Sequence, residues 1–253
     1  MKVTAIHSRA FIPPKDDLYA HLDESLAHVP ERAVVAVSSK VVAIGEGRCV
    51  ASPEGVDPLA FKDTLAEREA DLYIPRDPQA KYPCFFAIKN GSFIPSAGID
   101  QSNGNGYFVL WPRDAMESAH DIRAHLGERH GLRELGIIVT DSTSAPLRNG
   151  VTGRAIGYAG FHAQYDYRGL PDIFGRPLKS ERLNVADSLA AAATLAMGEG
   201  DERTPFVLIE DATHVTFAET EADDPLLALF VSLEEDIFAP FLKNAPWRKK
   251  KAL

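Results

Sequence analysis

The sequence contains little cysteine, no excess of basic residues and no long hydrophobic run. Cys49 and Cys84 are the only cysteines among 253 residues, which excludes a disulfide scaffold and a cysteine-rich zinc site. Lysine and arginine number 27 against 36 acidic residues, and the formal net charge of −9 argues against a nucleic-acid-binding protein. The chain has no run of about 18 apolar residues and begins without the apolar region of a signal peptide, so we expect a cytoplasmic protein without a membrane partner.

Several common catalytic and nucleotide-binding motifs are also missing. The chain has no P-loop ending in Gly-Lys-Ser or Gly-Lys-Thr, and Gly45-Glu46-Gly47 has the wrong spacing for a dinucleotide-binding loop. No Gly-x-Ser-x-Gly sequence occurs, so serine hydrolase chemistry has no support. The scattered histidines are more typical of core or surface residues than of metal ligands. Any nucleotide must therefore be held by a different arrangement.

What the chain does contain is the ordinary mixture of a globular protein. Hydrophobic residues make up 45% and charged residues 25%, enough apolar material for a sizeable core. Apolar runs bounded by turn residues alternate with helical patterns, which predicts a mixed α+β fold in a single domain over residues 1–253. Strands are predicted over residues 32–42, 135–140 and 152–160. Helices are predicted over residues 57–73, 113–130, 180–197 and 225–242, the last of them an amphipathic closing helix.

The first polar cluster is Gly98-Ile99-Asp100-Gln101-Ser102-Asn103. Glycine beside a carboxylate lets the backbone approach a ligand closely. Asp100 suits a hard cation, and the amide of Asn103 suits a nucleotide or a phosphate. The alternative is an Asx turn without a ligand, which such a segment alone favours.

The second polar cluster, Asp141-Ser142-Thr143-Ser144, follows the predicted strand that ends at Thr140. We expect residues 141–150 to form a loop at the carboxyl end of that strand, where open α/β sheets place their ligands. A carboxylate followed by hydroxyl groups suits Mg²⁺ or Mn²⁺, which take oxygen ligands. A polar turn that caps the sheet edge is an equal alternative.

The third cluster contains Arg168, followed by Asp172 and Arg176. An arginine here can clamp a phosphate or a substrate carboxylate with two parallel hydrogen bonds. The alternative is a surface ion pair of Arg168 with Asp166 or Asp172, which is the usual arrangement for such neighbours.

Taken in order, these clusters resemble the coenzyme F-420:L-glutamate ligase family. The resemblance covers about residues 3–210 and leaves residues 211–253 as a C-terminal extension with the closing helix. No single motif is specific, but the ordered series is. Its matching segments are Gly98 to Asn103, Leu110 to Pro112, Asp141 to Arg148, Ala155 to Gly160, Asp166 to Gly169, Ala186 to Ala190 and Met197 to Glu199.

The resemblance implies addition of L-glutamate, or another amino acid, to a small phosphorylated acceptor with GTP as co-substrate and two Mg²⁺ or Mn²⁺ ions. It also implies a two-part α/β fold without a P-loop, in an intertwined homodimer. Arg148 and Arg168 would hold the incoming carboxylate as catalytic residues. The implied metal ligands are Asp100 and Asp141 for one ion, and Ser142 and Glu199 for the other. The implied nucleotide contacts are Ile12, Pro13, Pro14, Lys15, Ser39, Lys40, Asn103 and Gly198.

The chain departs from the family pattern at several anion contacts. Ile44 stands where the family commonly has lysine, and Ala145 lies in a loop that has lost an arginine. Glu210-Asp211 replaces an Arg-Gly pair and so reverses the charge. This pattern is expected if the acceptor or the nucleotide has changed. The alternative is a nucleotide- or metabolite-binding homologue that has lost catalysis.

Overall fold

A five-stranded sheet forms the centre of the computed structural model, which describes residues 1–220 and 224–250; residues 221–223 and 251–253 of the C-terminal extension lie outside it. The α-helices in the described part are α1 (Leu18–Ser25), α2 (Ser39–Gly45), α3 (Pro58–Glu69), α4 (Ala115–His130), α5 (Val185–Met197) and α6 (Ala239–Leu242). The strands are β1 (Lys2–Ile6), β2 (Val34–Ser38), β3 (Cys49–Ala51), β4 (Leu72–Ile74), β5 (Phe86–Lys89), β6 (Ser92–Pro95), β7 (Tyr107–Val109), β8 (Gly136–Ser144), β9 (Val151–Ala159), β10 (Gln164–Asp166), β11 (Arg182–Asn184), β12 (Phe206–Glu210) and β13 (Arg248–Lys249).

The central sheet has the order β1-β12-β2-β8-β9 and is covered on both faces. β2 and β8 are parallel, and the other pairings are antiparallel. Val35 and Val37 pack toward α1 and α4, whereas Val34 and Ala36 pack toward α5. Burial on both faces explains why the sequence of β2 is apolar at successive positions instead of alternating.

A smaller unit packs beside this sheet. Its four strands have the order β13-β4-β5-β6, and the β3-β7 pair and α3 complete it. Its core centres on Phe85 and Phe108, both fully buried. The mixed α+β class predicted from the sequence is therefore confirmed. Within the described residues, no helix is long and apolar enough to cross a membrane.

Two predicted boundaries near the centre of the sheet are wrong. The apolar run through Val42 is one strand in the prediction, but the strand ends at Ser38 and α2 begins at Ser39. The expected loop at residues 141–150 is also too long, because β8 continues to Ser144. A register shift at Val139/Thr140 keeps β8 paired with β9 beyond the point where its apolar residues end.

The prediction of a closing helix over residues 225–242 is also wrong. A single 3-10 turn at Pro225–Leu227 and the one-turn α6 are the helical pieces described there. The carbonyl of Ala228 accepts a hydrogen bond from the side chain of Gln164, 2.6 Å away, and Pro240 cannot donate inside a helix. Ile237 and Phe241, expected on the buried face, are 86% and 77% exposed.

Candidate functional site

A cavity of about 520 Å³ opens where β2 ends, beside the part of β8 that continues past it. These two strands are parallel, and Ser38, the last residue of β2, lies opposite Thr140 of β8. The residues that follow, Ser39 and Asp141, are therefore brought to the same edge of the sheet. The lining residues lie within five segments, 9–11, 38–44, 100–103, 140–142 and 194–205; Ser39 is not one of them but donates to Asp141, which is.

Asp141 lies on the inner wall of the cavity and accepts two side-chain hydrogen bonds. Ser39 Oγ donates to Oδ1 at 3.1 Å, and Trp111 Nε1 donates to Oδ2 at 2.5 Å. Burial raises the pKa of the Asp141 carboxyl group, and the two donors oppose that shift. The carboxylate is thus fixed in orientation by donors from two different elements.

Asp100 lies across the cavity in the loop before β7. Its backbone pairs with Val109, with N–O distances of 3.0 and 2.8 Å, which places the side chain beside α2. Lys40 Nζ donates to Asp100 Oδ2 at 2.7 Å, and the Ser102 hydroxyl group also donates to this oxygen. Burial alone would raise the pKa of Asp100, but the Lys40 ammonium group holds it well below its usual range.

The second predicted ligand pair also meets at this cavity. Ser142 Oγ donates to Glu199 Oε2 at 3.2 Å, and Asn103 Nδ2 donates to the carbonyl of Gly200 at 2.9 Å. Gly198 ends α5 with φ 76°, a left-handed conformation that turns the chain toward the cavity. The structure therefore brings together Asp100, Asp141, Ser142 and Glu199, together with Ser39, Lys40, Asn103 and Gly198.

These side chains fit a divalent cation in the chemistry of their donors, since all four predicted ligands offer oxygen. Across residues 1–220 and 224–250, no three acidic, histidine or cysteine side chains converge on one point that could hold a metal ion. Mg²⁺ usually takes only one or two carboxylates and completes its shell with water and substrate phosphates. Asp100 with Asp141, and Ser142 with Glu199, are compatible with that arrangement.

The two arginines predicted to be catalytic lie elsewhere. Arg168 pairs with Asp166 at 2.7 Å and with Asp224 at 2.6 Å, so the ion-pair alternative with Asp166 is confirmed. Arg148 is exposed and donates to the carbonyl of Leu147. Neither arginine is among the described residues that line the cavity. Their catalytic roles stay predictions.

The N-terminal loop reaches the cavity with residues other than the predicted ones. Arg9, Ala10 and Phe11 line the wall, whereas Ile12, Pro13, Pro14 and Lys15 are not among the described lining residues. Lys15 instead borders a second cavity, beside α1 and α4. The contact of residues 12–15 with a nucleotide stays a prediction.

Sequence reasoning missed the residue that holds this loop in place. His21 is fully buried in α1, with Nδ1 2.9 Å from Ser8 Oγ and Nε2 3.0 Å from Asp16 Oδ2. Its ring stacks on Phe11 with the ring centroids 3.6 Å apart. The spacing of Ser8, Asp16 and His21 along the chain is irregular, so no local pattern could have identified the set.

Comparison with known proteins finds a family whose match spans the residues of this site. The family model described as F420-0:Gamma-glutamyl ligase matches residues 8–211. A coenzyme F420:L-glutamate ligase of Methanopyrus kandleri is 36% identical over 211 residues, which cover 78% of this chain and 81% of that protein. The protein of the same name from Haloarcula marismortui is 34% identical, in an alignment that covers 96% of this chain and 98% of that protein. That from Methanocaldococcus jannaschii is 33% identical, covering 79% and 76%.

Proposed function

The chain belongs to the F420-0:gamma-glutamyl ligase family, and from that membership we propose that it is a GTP- and metal-dependent ligase that attaches L-glutamate to a small phosphorylated acceptor through an amide bond. One observation carries the proposal. The two carboxylates Asp100 and Asp141 and the Ser142–Glu199 pair border a single cavity. The curated relatives are named for coenzyme F420 and L-glutamate, which supports a related acceptor here.

The proposed reaction has two steps. The acceptor carboxylate attacks the γ-phosphorus of GTP, the bond to the β-phosphate oxygen breaks, and GDP leaves with that bonding pair. The glutamate amine then attacks the acyl carbon, phosphate departs and the amine loses a proton. Divalent cations, held by Asp100 with Asp141 and by Ser142 with Glu199, would supply the charge neutralisation that lets a carboxylate approach a triphosphate.

The chain's own residues have complementary tasks in this scheme. Asp100 and Asp141, which line the same cavity, would hold a cation, and their donors keep both carboxylates in place. Lys40 adds a positive charge at the mouth of the site for a phosphate oxygen. Asn103, already aimed at the loop after α5, offers an amide to the nucleotide. The cavity would hold the reacting groups close together.

Calorimetric titration of GTP, ATP and GDP, each with and without Mn²⁺, tests this function. We expect GTP to bind only when Mn²⁺ is present, because the acidic cavity repels a free triphosphate. Incubation with GTP, glutamate and the acceptor named in the relatives should then release phosphate together with a glutamylated product. Absence of binding by all three nucleotides would contradict the proposal.

A second candidate is a nucleotide- or metabolite-binding homologue without turnover. Ile44 supports it, because this side chain is 2% exposed at the cavity wall where the family commonly has lysine. Among residues 1–220, Ala145 and Glu210-Asp211 do not line the cavity, and Glu210 pairs instead with Lys2 at 2.6 Å. Most departures therefore lie away from the site. Metal-dependent GTP binding without phosphate release would identify this second function.

We also propose that the chain forms a homodimer. Ile173 and Phe174 are 92% and 83% exposed on a turn, which is unusual for adjacent large apolar side chains. Sedimentation velocity should therefore give a mass of about twice 27.6 kDa, in line with the symmetric dimers most common among oligomers. Phe174→Ser should shift this mass toward the monomer, whereas Tyr82→Ser, an exposed aromatic elsewhere, should not. A monomer in the unmodified protein would refute the dimer.

A further inference from the structure

Trp111 is buried directly behind the candidate site. It follows β7 by two residues, and its side chain is 3% exposed. A buried indole needs a partner for its one polar atom, and here Nε1 donates to Asp141 Oδ2 at 2.5 Å. The donor and the acceptor are 30 residues apart in the chain. The indole has a strict geometry in this contact, since its buried N–H group cannot turn to water.

The same indole also touches the loop that carries Asp100. Gly98, two residues before Asp100, has φ 74°, and a Cβ built there would lie 2.1 Å from Trp111 Nε1. Glycine is therefore required at this position both for its backbone conformation and for the space that the ring occupies. The ring lies between the two segments that supply the strand-end carboxylates.

Trp111 is itself held from behind by charged groups. Arg48 Nε donates to the carbonyl of Trp111 at 3.1 Å, and Lys89 Nζ lies 5.9 Å from the ring centroid. Both cations bond to the same oxygen of Glu69, each at 2.6 Å. The backbone and the ring of Trp111 are thus fixed by an ion cluster that does not border the cavity within the described residues.

We propose that Trp111 is a positioning residue for the ligand set, and that it fixes the Asp141 carboxylate relative to the Asp100 loop. This inference rests on the proposed function, because it concerns how the protein prepares these two carboxylates for a cation. The indole N–H occupies one lone pair of Oδ2, and each carboxylate oxygen keeps another for a ligand.

The test is the Trp111→Phe variant, which keeps an aromatic ring and removes the N–H donor. We expect the Mn²⁺ dissociation constant, measured from the electron paramagnetic resonance signal of free Mn²⁺, to rise by about tenfold or more, as removal of ligand-orienting partners does elsewhere. Replacement of Trp111 with benzothienylalanine, in which sulfur replaces the N–H group, should weaken binding similarly while preserving the shape of the ring.

Trp247→Phe is the matched control, since Trp247 is the only other tryptophan and donates to the carbonyl of Leu242 at 2.6 Å in the C-terminal extension. Its Mn²⁺ affinity should equal that of the unmodified protein. The remaining fluorescence then comes from Trp111 alone, and Mn²⁺ should quench it. Adding Asp141→Asn to this variant should abolish the quenching.

The outcomes separate this inference from the proposed function. If both Trp111 variants bind Mn²⁺ within twofold of the unmodified protein while Asp141→Asn does not bind it, the positioning role is refuted and the metal site stands. If Asp141→Asn also binds Mn²⁺ normally, the assignment of the metal site fails and the positioning role fails with it. Weakened binding in both Trp111 variants, with their thermal unfolding retained, supports the inference.

Discussion

Replacing Asp141 with asparagine should lower the rate of glutamate ligation by more than about 100-fold, since even partners that only orient a metal ligand cost 10- to 100-fold. The substitution keeps the side chain's size but removes its charge and turns one acceptor oxygen into an amide donor. That amide would face either the Ser39 hydroxyl group or the Trp111 indole, both of which donate to the carboxylate. Metal-dependent GTP binding should disappear with the activity.

Steady-state phosphate release and calorimetry on the same preparation measure these two effects. Asp121→Asn is the matched control, because Asp121 is an exposed aspartate of α4 and lines the second cavity instead of the first. It makes the same change in net charge and should leave ligation and GTP binding unchanged. Normal GTP affinity in Asp141→Asn would refute the metal assignment, and normal ligation would refute the catalytic role of this cavity.

The position of the candidate site could be predicted from the sequence because it depends on a general property of parallel strands. Asp141 directly follows an apolar run and was expected at the sheet edge, where it lies. Ser39 was placed inside the predicted strand over residues 32–42, and only the resemblance indicated that it belongs to the site. The extent of β8 could not be predicted in the same way. Its last residues are polar, and only the pairing with β9 keeps Asp141 inside a strand.

Helices with clear caps were also predictable. Asp114 caps α4 and Gly131 ends it in a left-handed conformation, so the predicted span of residues 113–130 is nearly that of the structure. The apolar spacing near the C-terminus suggested a helix as well, but there the backbone carbonyls bond to side chains of β10 and β11. Such tertiary competition leaves no trace in local periodicity.

Contacts between distant parts of the chain account for most of what the sequence did not reveal. Trp111 had no assigned role in the sequence, and its importance depends on a carboxylate 30 residues away. Arg168 pairs with its neighbour Asp166, as one alternative from the sequence expected, but its second partner, Asp224, is 56 residues further along. The kind of ligand that a site can bind is predictable from its residue types. The hydrogen-bond donors that orient the side chains of the site depend on packing between distant parts of the chain.

The cluster behind Trp111 should contribute much of the stability of the smaller unit. Lys89 is 4% exposed, and both its ammonium group and Arg48 bond to the Glu69 carboxylate, as described above. Removing one partner of a buried ion pair leaves the other charge uncompensated, and Glu69→Gln should therefore reduce the free energy of unfolding by about 3 kcal/mol. Chemical denaturation at pH 7 measures this change.

The effect of this substitution should depend on pH in a defined direction. Burial alone would raise the pKa of Glu69, but the hydrogen bond from Lys89 and the two cations lower it below its ordinary value of 4.5. Because the pKa of Glu69 is lower in the folded than in the unfolded protein, the charged carboxylate stabilises the fold at any pH above the unfolded-state pKa. This stabilisation is lost as the pH falls through the folded-state pKa of Glu69. The difference in free energy of unfolding between Glu69→Gln and the unmodified protein should thus have its full size at pH 7 and become smaller in acid.

Glu67→Gln, in the same helix, is the control and should lower the free energy of unfolding by less than about 0.5 kcal/mol at either pH. If the two substitutions lowered the free energy of unfolding equally at pH 7, the ion cluster of Arg48, Lys89 and Glu69 would not stabilise the smaller unit.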